Sequence, residues 1–132
     1  MSKKIFGIGL LLFMASLLVM QGCSKTTTVI VDNSVAVTTT VSFSKDIVPL
    51  LTKSCSISGC HGGTVAPNLS SATAYTALVN GNFVSTANPA NSEVYLWLTG
   101  KRSVTMPAGS TNNPSNINGL ILAWIKQGAK NN

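Results

Sequence analysis

Lys53-Ser54-Cys55-Ser56-Ile57-Ser58-Gly59-Cys60-His61-Gly62-Gly63 is the stretch on which the reading of this chain turns. Two thiols are separated by four residues, and an imidazole follows the second thiol directly. Of the intervening residues only Ile57 is bulky; Ser56, Ser58 and Gly59 are small or flexible. The chain of 132 residues holds 3 cysteines and 1 histidine. What the third cysteine does decides what is left for this cluster.

That third cysteine, Cys23, closes the N-terminal segment. Lys3 and Lys4 form a positive start, Ile5 to Met20 is an uncharged apolar run, and Gln21-Gly22 leads into Cys23. This is the layout of a bacterial secretion signal over residues 1–22. A small residue before a cysteine marks the lipoprotein kind, in which Cys23 becomes the lipidated first residue. Met20 stands where such signals usually carry Leu. The other reading of this run is an N-terminal membrane anchor, for which it is slightly short. Either way the rest of the chain lies outside the cytoplasmic membrane, tethered to a bilayer.

Removing residues 1–22 takes away Lys3 and Lys4, two of the charges behind the formal net +6. No basic run with interleaved aromatics remains, so nucleic-acid binding is not indicated. Three of the 4 methionines leave with the signal, and Met106 stays. The mature inventory is therefore Cys55, Cys60, one histidine (His61) and one methionine (Met106).

Cys55 and Cys60 have three possible uses. In an oxidising compartment two cysteines commonly form a disulfide, but His61 would then be unexplained. A structural zinc site needs four ligands, and two Cys with one His fall short. A Cys-His dipeptide with a second Cys a few residues upstream is the pattern that attaches a c-type haem. The thiols add to the vinyl groups and the adjacent imidazole ligates iron. The usual gap is two residues; a longer one requires only that extra backbone loop outward, with Ile57 able to pack on the haem edge.

Residues 23–41 follow the signal as a Thr/Val-rich tether. Fully extended, residues 24–41 would span on the order of 60 Å. Val29-Ile30-Val31 and Val35-Ala36-Val37 about Asp32-Asn33-Ser34 could instead pair as a hairpin, marginal in isolation. The folded domain, residues 42–132, reads as all-α with about four short helices. Ser44 is the expected cap of a first helix over Lys45–Lys53, with Phe43, Ile47, Leu50 and Leu51 on one face. Pro49 either kinks this helix or delays its start.

Ser70 or Ser71 is expected to cap a helix over Ala72–Val79, with Tyr75, Leu78 and Val79 inward and Gly81 as its stop. Asn91 or Ser92 starts another over Glu93–Leu98, ended by Gly100. The last helix is the clearest: Asn113 or Ser115 caps it, Pro114 suits its first turn, and Ile117, Leu120, Ile121, Trp124 and Ile125 share one face. Lys126 and Lys130 suit its C-terminal end, and Gly128 is the expected C-cap. A domain this small has a thin core and gains from a staple, which a covalent haem would provide.

Phe43 to Ala129 resembles a class I mono-haem c-type cytochrome. The nearest resemblance is to lipoprotein-borne domains whose haem motif has four residues between the cysteines. Three pieces carry it: Cys55-x4-Cys60-His61-Gly62; Asn88-Pro89-Ala90-Asn91-Ser92-Glu93-Val94-Tyr95 leading into a helix; and Met106-Pro107 before a Trp-containing last helix. The resemblance implies a small helical bundle wrapped around one haem c, bound covalently through Cys55 and Cys60. His61 is then the proximal iron ligand and Met106 the distal one. Met106 has support of its own, as the sole remaining methionine in a Pro- and Gly-bearing loop; it can also be read as a surface loop residue.

With both axial positions filled, the implied role is an electron carrier rather than an enzyme. The implied setting is the bacterial cell envelope. There the domain is lipid-anchored, faces the periplasm and serves redox partner proteins of the respiratory chain or periplasm. Ser24 after the lipidated Cys carries no inner-membrane retention signal, which favours the outer membrane. Two other readings stay open: a haem enzyme or ligand sensor with a labile sixth position, and a haem-free lipoprotein stapled by a Cys55–Cys60 disulfide. Trp97, Trp124 and Tyr95 are read as core, some of them lining the pocket. Lys101-Arg102 is either a docking patch for an acidic partner or a solvated loop.

Overall fold

The computed structural model describes residues 36–108 and 115–132. The signal segment, Cys23, nearly all of the tether with its possible hairpin, and the helix-start residues Asn113 and Pro114 lie outside the described residues. Among the described residues the fold is all-α and has no strand. A π-helical turn, Phe43–Ile47, runs directly into α1, Val48–Ser54; then come α2, Ala74–Val79, a 3-10 turn, Pro89–Asn91, α3, Glu93–Leu98, and α4, Ser115–Lys126.

The first helical segment begins earlier than its expected cap. Ser42, not Ser44, is the N-cap: its hydroxyl accepts from Lys45 N–H at 3.3 Å, and Asp46 Oδ2 accepts from Ser42 N–H at 2.8 Å. This reciprocal pair satisfies two otherwise orphaned donors. Pro49, which has no N–H to give, becomes the second residue of α1 rather than a mid-helix break. The wide π turn before it, closed by Val48 N–H to Phe43 O, absorbs the mismatch. Pro49 thus delays the regular helix.

α2 also starts later than expected, at Ala74. Residues 70–73 form a preceding turn in which the Ser70 carbonyl accepts from both Thr73 N–H at 3.0 Å and Ala74 N–H at 2.8 Å. The Ser70 hydroxyl bonds the Thr73 hydroxyl instead of capping a backbone donor. α3 has the expected bounds, with Ser92 at its N-cap position. The Ser92 side chain is turned to the preceding loop, accepting from Ser85 N–H at 2.9 Å.

α4 is the spine of the core. Ile117, Ile121, Trp124 and Ile125 are all buried, the last two completely. Trp124 meets the Phe43 ring at 5.1 Å between centroids, and Phe43 meets Tyr75 edge-on at 5.3 Å. The polar ends of these rings are satisfied: Trp124 Nε1–H donates to Lys130 O at 2.9 Å and Tyr75 O–H to Ala129 O at 3.1 Å. The helix stops at Gly128, φ +96°, with Ala129 N–H bonding back to Trp124 O and Gly128 N–H to Ile125 O. That is a Schellman turn, and it delivers the acceptors that Tyr75 and Trp124 need.

The chain upstream of residue 42 is already engaged. Val41 is buried and Val37 packs against the core. The Gln127 side chain accepts from Val41 N–H and donates to Thr39 O, each at 2.9 Å. Ser44 N–H and Phe43 N–H both donate to Asn132. The start of the described domain is therefore tied to the end of α4. The other half of α1 and the N-terminal half of α4 are left to wall a cavity.

Candidate functional site

Cys55 is the C-cap of α1, its N–H bonded to Leu51 O at 2.8 Å, and Ser56 N–H shares the same acceptor at 2.7 Å. The loop then closes on itself. Cys60 N–H reaches Ile57 O at 3.0 Å, and His61 N–H reaches Cys55 O at 3.1 Å. These bonds bring the ends of the four-residue gap together and bulge its middle, where Ile57 and Gly59 border the same cavity as the cysteines. Ile57 is 48% exposed, and Gly59, at φ +78°, has nothing within 4 Å of where a Cβ would lie. Gly62 folds flat against this loop; a Cβ there would stand 3.0 Å from Ser56 O and 3.1 Å from Ile57 O.

His61 is oriented by the segment that follows it. Val65 N–H donates to Cys60 O and Leu69 N–H to His61 O. Its Nδ1 lies 3.1 Å from Pro67 O and 3.3 Å from Val65 O. Carbonyl oxygens only accept, so Nδ1 carries the proton and Nε2 of the neutral ring keeps its lone pair. A metal-binding histidine is set up in this way, one nitrogen tied to a carbonyl and the other free to ligate.

Both cysteines, His61 and Met106 border one cavity of about 480 Å³, within the size range of ligand pockets, about 300–1,000 Å³. Its walls are otherwise almost wholly apolar. Leu50 and Leu51 come from α1, Leu78 from α2, Val94, Trp97 and Leu98 from α3, and Ile117 and Ile121 from α4. Phe83 completes one side. It folds back over Gly81, where a Cβ would collide with Ala77 O and press on the Phe83 ring. Of the aromatics left open by the sequence, Trp97 lines the cavity, while Trp124 and Tyr95 are core.

Cys55 and Cys60 are free thiols, not joined to one another. Burial, and secondarily the neighbouring Cys60, pushes the Cys55 thiol above its ordinary 9.0. Thiolate is the species that attacks in disulfide exchange, so burial slows the reaction of Cys55 with a disulfide. Among the described residues no group of three or more His, Cys, Asp or Glu is placed to hold a bare metal ion. A haem iron asks less of the chain, because the porphyrin nitrogens occupy its equatorial positions.

Met106 is held through its backbone, N–H to Trp97 O at 3.0 Å. The loop between them carries Arg102, which grips Glu93 with two parallel bonds, Nε to Oε1 at 2.8 Å and Nη2 to Oε2 at 2.6 Å. The Arg102 fork is the main cause holding the Glu93 carboxyl below the ordinary 4.5. Arg102 is thus committed to Glu93, and among the described residues Lys101 beside it forms no ion pair.

The sequence did not single out Glu93, Phe83, Pro67 or the pocket role of Trp97. Glu93 and Arg102 lie nine positions apart, too far for a same-helix pair, and the Pro67 carbonyl becomes a partner only once the loop closes. Comparison with protein-family models, with curated proteins and with solved structures finds no match.

Proposed function

We propose that this chain is a membrane-tethered mono-haem c-type cytochrome that carries electrons. The observation that supports it most is that Cys55, Cys60, His61 and Met106, far apart in kind and partly in sequence, border a single apolar cavity. In this reading Cys55 and Cys60 hold one haem c by thioether bonds, His61 Nε2 is the proximal iron ligand and Met106 the distal one. The haem, when bound, supplies a one-electron iron couple. The chain's own contributions are separate from it. Pro67 and Val65 orient the imidazole, the leucine and isoleucine walls exclude water, and Met106 at the sixth position raises the reduction potential. A filled sixth position favours electron transfer over binding of substrate at iron.

The tether belongs to the same proposal: Cys23 carries lipid in the cell envelope, and the domain faces the periplasm from the outer membrane to meet redox partner proteins. Among the described residues no helix is long and apolar enough to cross a membrane.

The test is production of the full chain with haem-attachment machinery, followed by intact mass and visible spectroscopy. The expected result is the mass of one covalent haem plus lipid, a Soret band, and a weak far-red band of the oxidised protein. Met106→Ala should remove the far-red band and keep the Soret band. No Soret band in the wild type overturns the haem reading. A Soret band that survives denaturation and extraction in the double variant Cys55→Ala with Cys60→Ala as it does in the wild type overturns the attachment assignment.

A further inference from the structure

The Glu93–Arg102 pair has no part in the function proposed above, yet it bridges two elements of the cavity wall. Glu93 opens α3, the helix that carries Trp97 and Leu98 into the cavity. Arg102 lies in the loop that leaves α3 and returns with Met106. Gly100 N–H bonds Trp97 O at 3.4 Å, Lys101 N–H bonds Leu96 O at 2.9 Å and Met106 N–H bonds Trp97 O at 3.0 Å; between Lys101 and Met106 the Arg102 fork on Glu93 ties the loop through a side chain. The partners are 39% and 34% exposed, so an isolated pair of point charges here would do little. A bidentate guanidinium–carboxylate fork is different in kind, because it fixes orientation as well as distance.

We propose that Glu93 is a positioning residue for the sixth iron ligand, acting through its two-bond fork with Arg102 to hold the Met106 loop against α3. The inference rests on the haem reading above, and it concerns how firmly Met106 competes for the iron. Glu93 does not touch the cavity's reacting atoms. It stands one helical turn before Trp97, whose carbonyl holds Met106 N–H. It acts on Arg102, four positions before Met106. Releasing the fork frees the middle of the loop, between the backbone bonds of Lys101 and Met106.

Exogenous imidazole, which must displace Met106, is the probe, added to the haem-loaded full chain at low ionic strength. Glu93→Gln should bind imidazole about three- to fivefold more tightly than the wild type, the scale on which an exposed ion pair acts. Its far-red band and Soret band should both remain in the absence of imidazole. Arg102→Lys, which keeps the charge and loses the fork, should fall between the two. Added salt should tighten imidazole binding in the wild type and leave Glu93→Gln unmoved. A merely structural loss would not produce that salt dependence. Equal imidazole affinity in wild type and Glu93→Gln, with the far-red band present in both, overturns the positioning role and leaves the haem reading standing. A wild type with a Soret band and no far-red band removes Met106 as ligand and this inference with it.

Discussion

Two loops border the same cavity and are held in opposite ways. The Cys–His loop, residues 55–69, hangs from the end of α1 and is closed by backbone bonds at short intervals: Ser56 to Leu51, His61 to Cys55, Val65 to Cys60 and Leu69 to His61. Its base is the helix whose upstream turn packs Ile47 and Phe43 into the Trp124 cluster. The methionine loop leaves α3 with backbone bonds from Gly100, Lys101 and Met106 and the Arg102 fork, and residues 101–104 are exposed. One loop inherits its rigidity from the core along its length; the other crosses exposed surface before Met106 packs against the core. A site built this way can fix attachment and proximal ligation while leaving the distal ligand adjustable.

The contrast is broken most severely at the core. Trp124→Ala removes the ring on which Phe43 packs and orphans the Lys130 carbonyl; the expected cost is about 3–5 kcal/mol. For a domain of this size that is a large part of the total. Val104→Ala, in the methionine loop at 47% exposure, should change stability by no more than about 0.5 kcal/mol. Urea unfolding of the two variants checks the pair. Comparable losses would mean that the methionine loop is as deeply built in as the core.

A smaller effect separates two glycines of the Cys–His loop. Gly62→Ala places a Cβ against two backbone carbonyls that cannot yield cheaply, so it should cost about 1–3 kcal/mol and lower the yield of attached haem. Gly59→Ala meets open space and pays only for its left-handed backbone at φ +78°, about 1 kcal/mol. Haem yield and thermal melting, read together, check both. If Gly59→Ala lowers haem yield more than Gly62→Ala, the open space beside Gly59 is space the haem needs.

How far the sequence foretold this arrangement differs between the same regions. α3 and the buried face of α4 were legible because each has one apolar period and a clear stop, Gly100 and Gly128 with their positive φ values. The first helix was misjudged because Ser44 stands directly before the apolar run; Asp46, by bonding back to Ser42 N–H, selects the earlier serine instead. Cys55, Cys60, His61 and Met106 could be nominated from inventory alone. The details that orient them could not, since the carbonyl of Pro67, the ring of Trp97 and the fork of Glu93 on Arg102 depend on loop closure. No local period encodes that.

The subtlest difference between the loops is a pH dependence, and its sign follows from Glu93. The Arg102 hydrogen bond is the largest cause holding its folded-state carboxyl below the ordinary 4.5. The stabilisation from the charged carboxylate is therefore complete above the unfolded value and is lost as pH falls through the folded one. Asp46 is the other acidic side chain among the described residues, and it is shared by wild type and Glu93→Gln, so it cancels in their difference. Melting temperatures of the two proteins from about pH 6 down to about pH 3 should show a small gap favouring the wild type that closes on acidification. Over the same range His61→Ala should leave the gap in place, because the imidazole is held by the other loop. A gap that widens toward low pH would mean the carboxylate opposes the fold rather than supports it, and the methionine loop would need a different anchor.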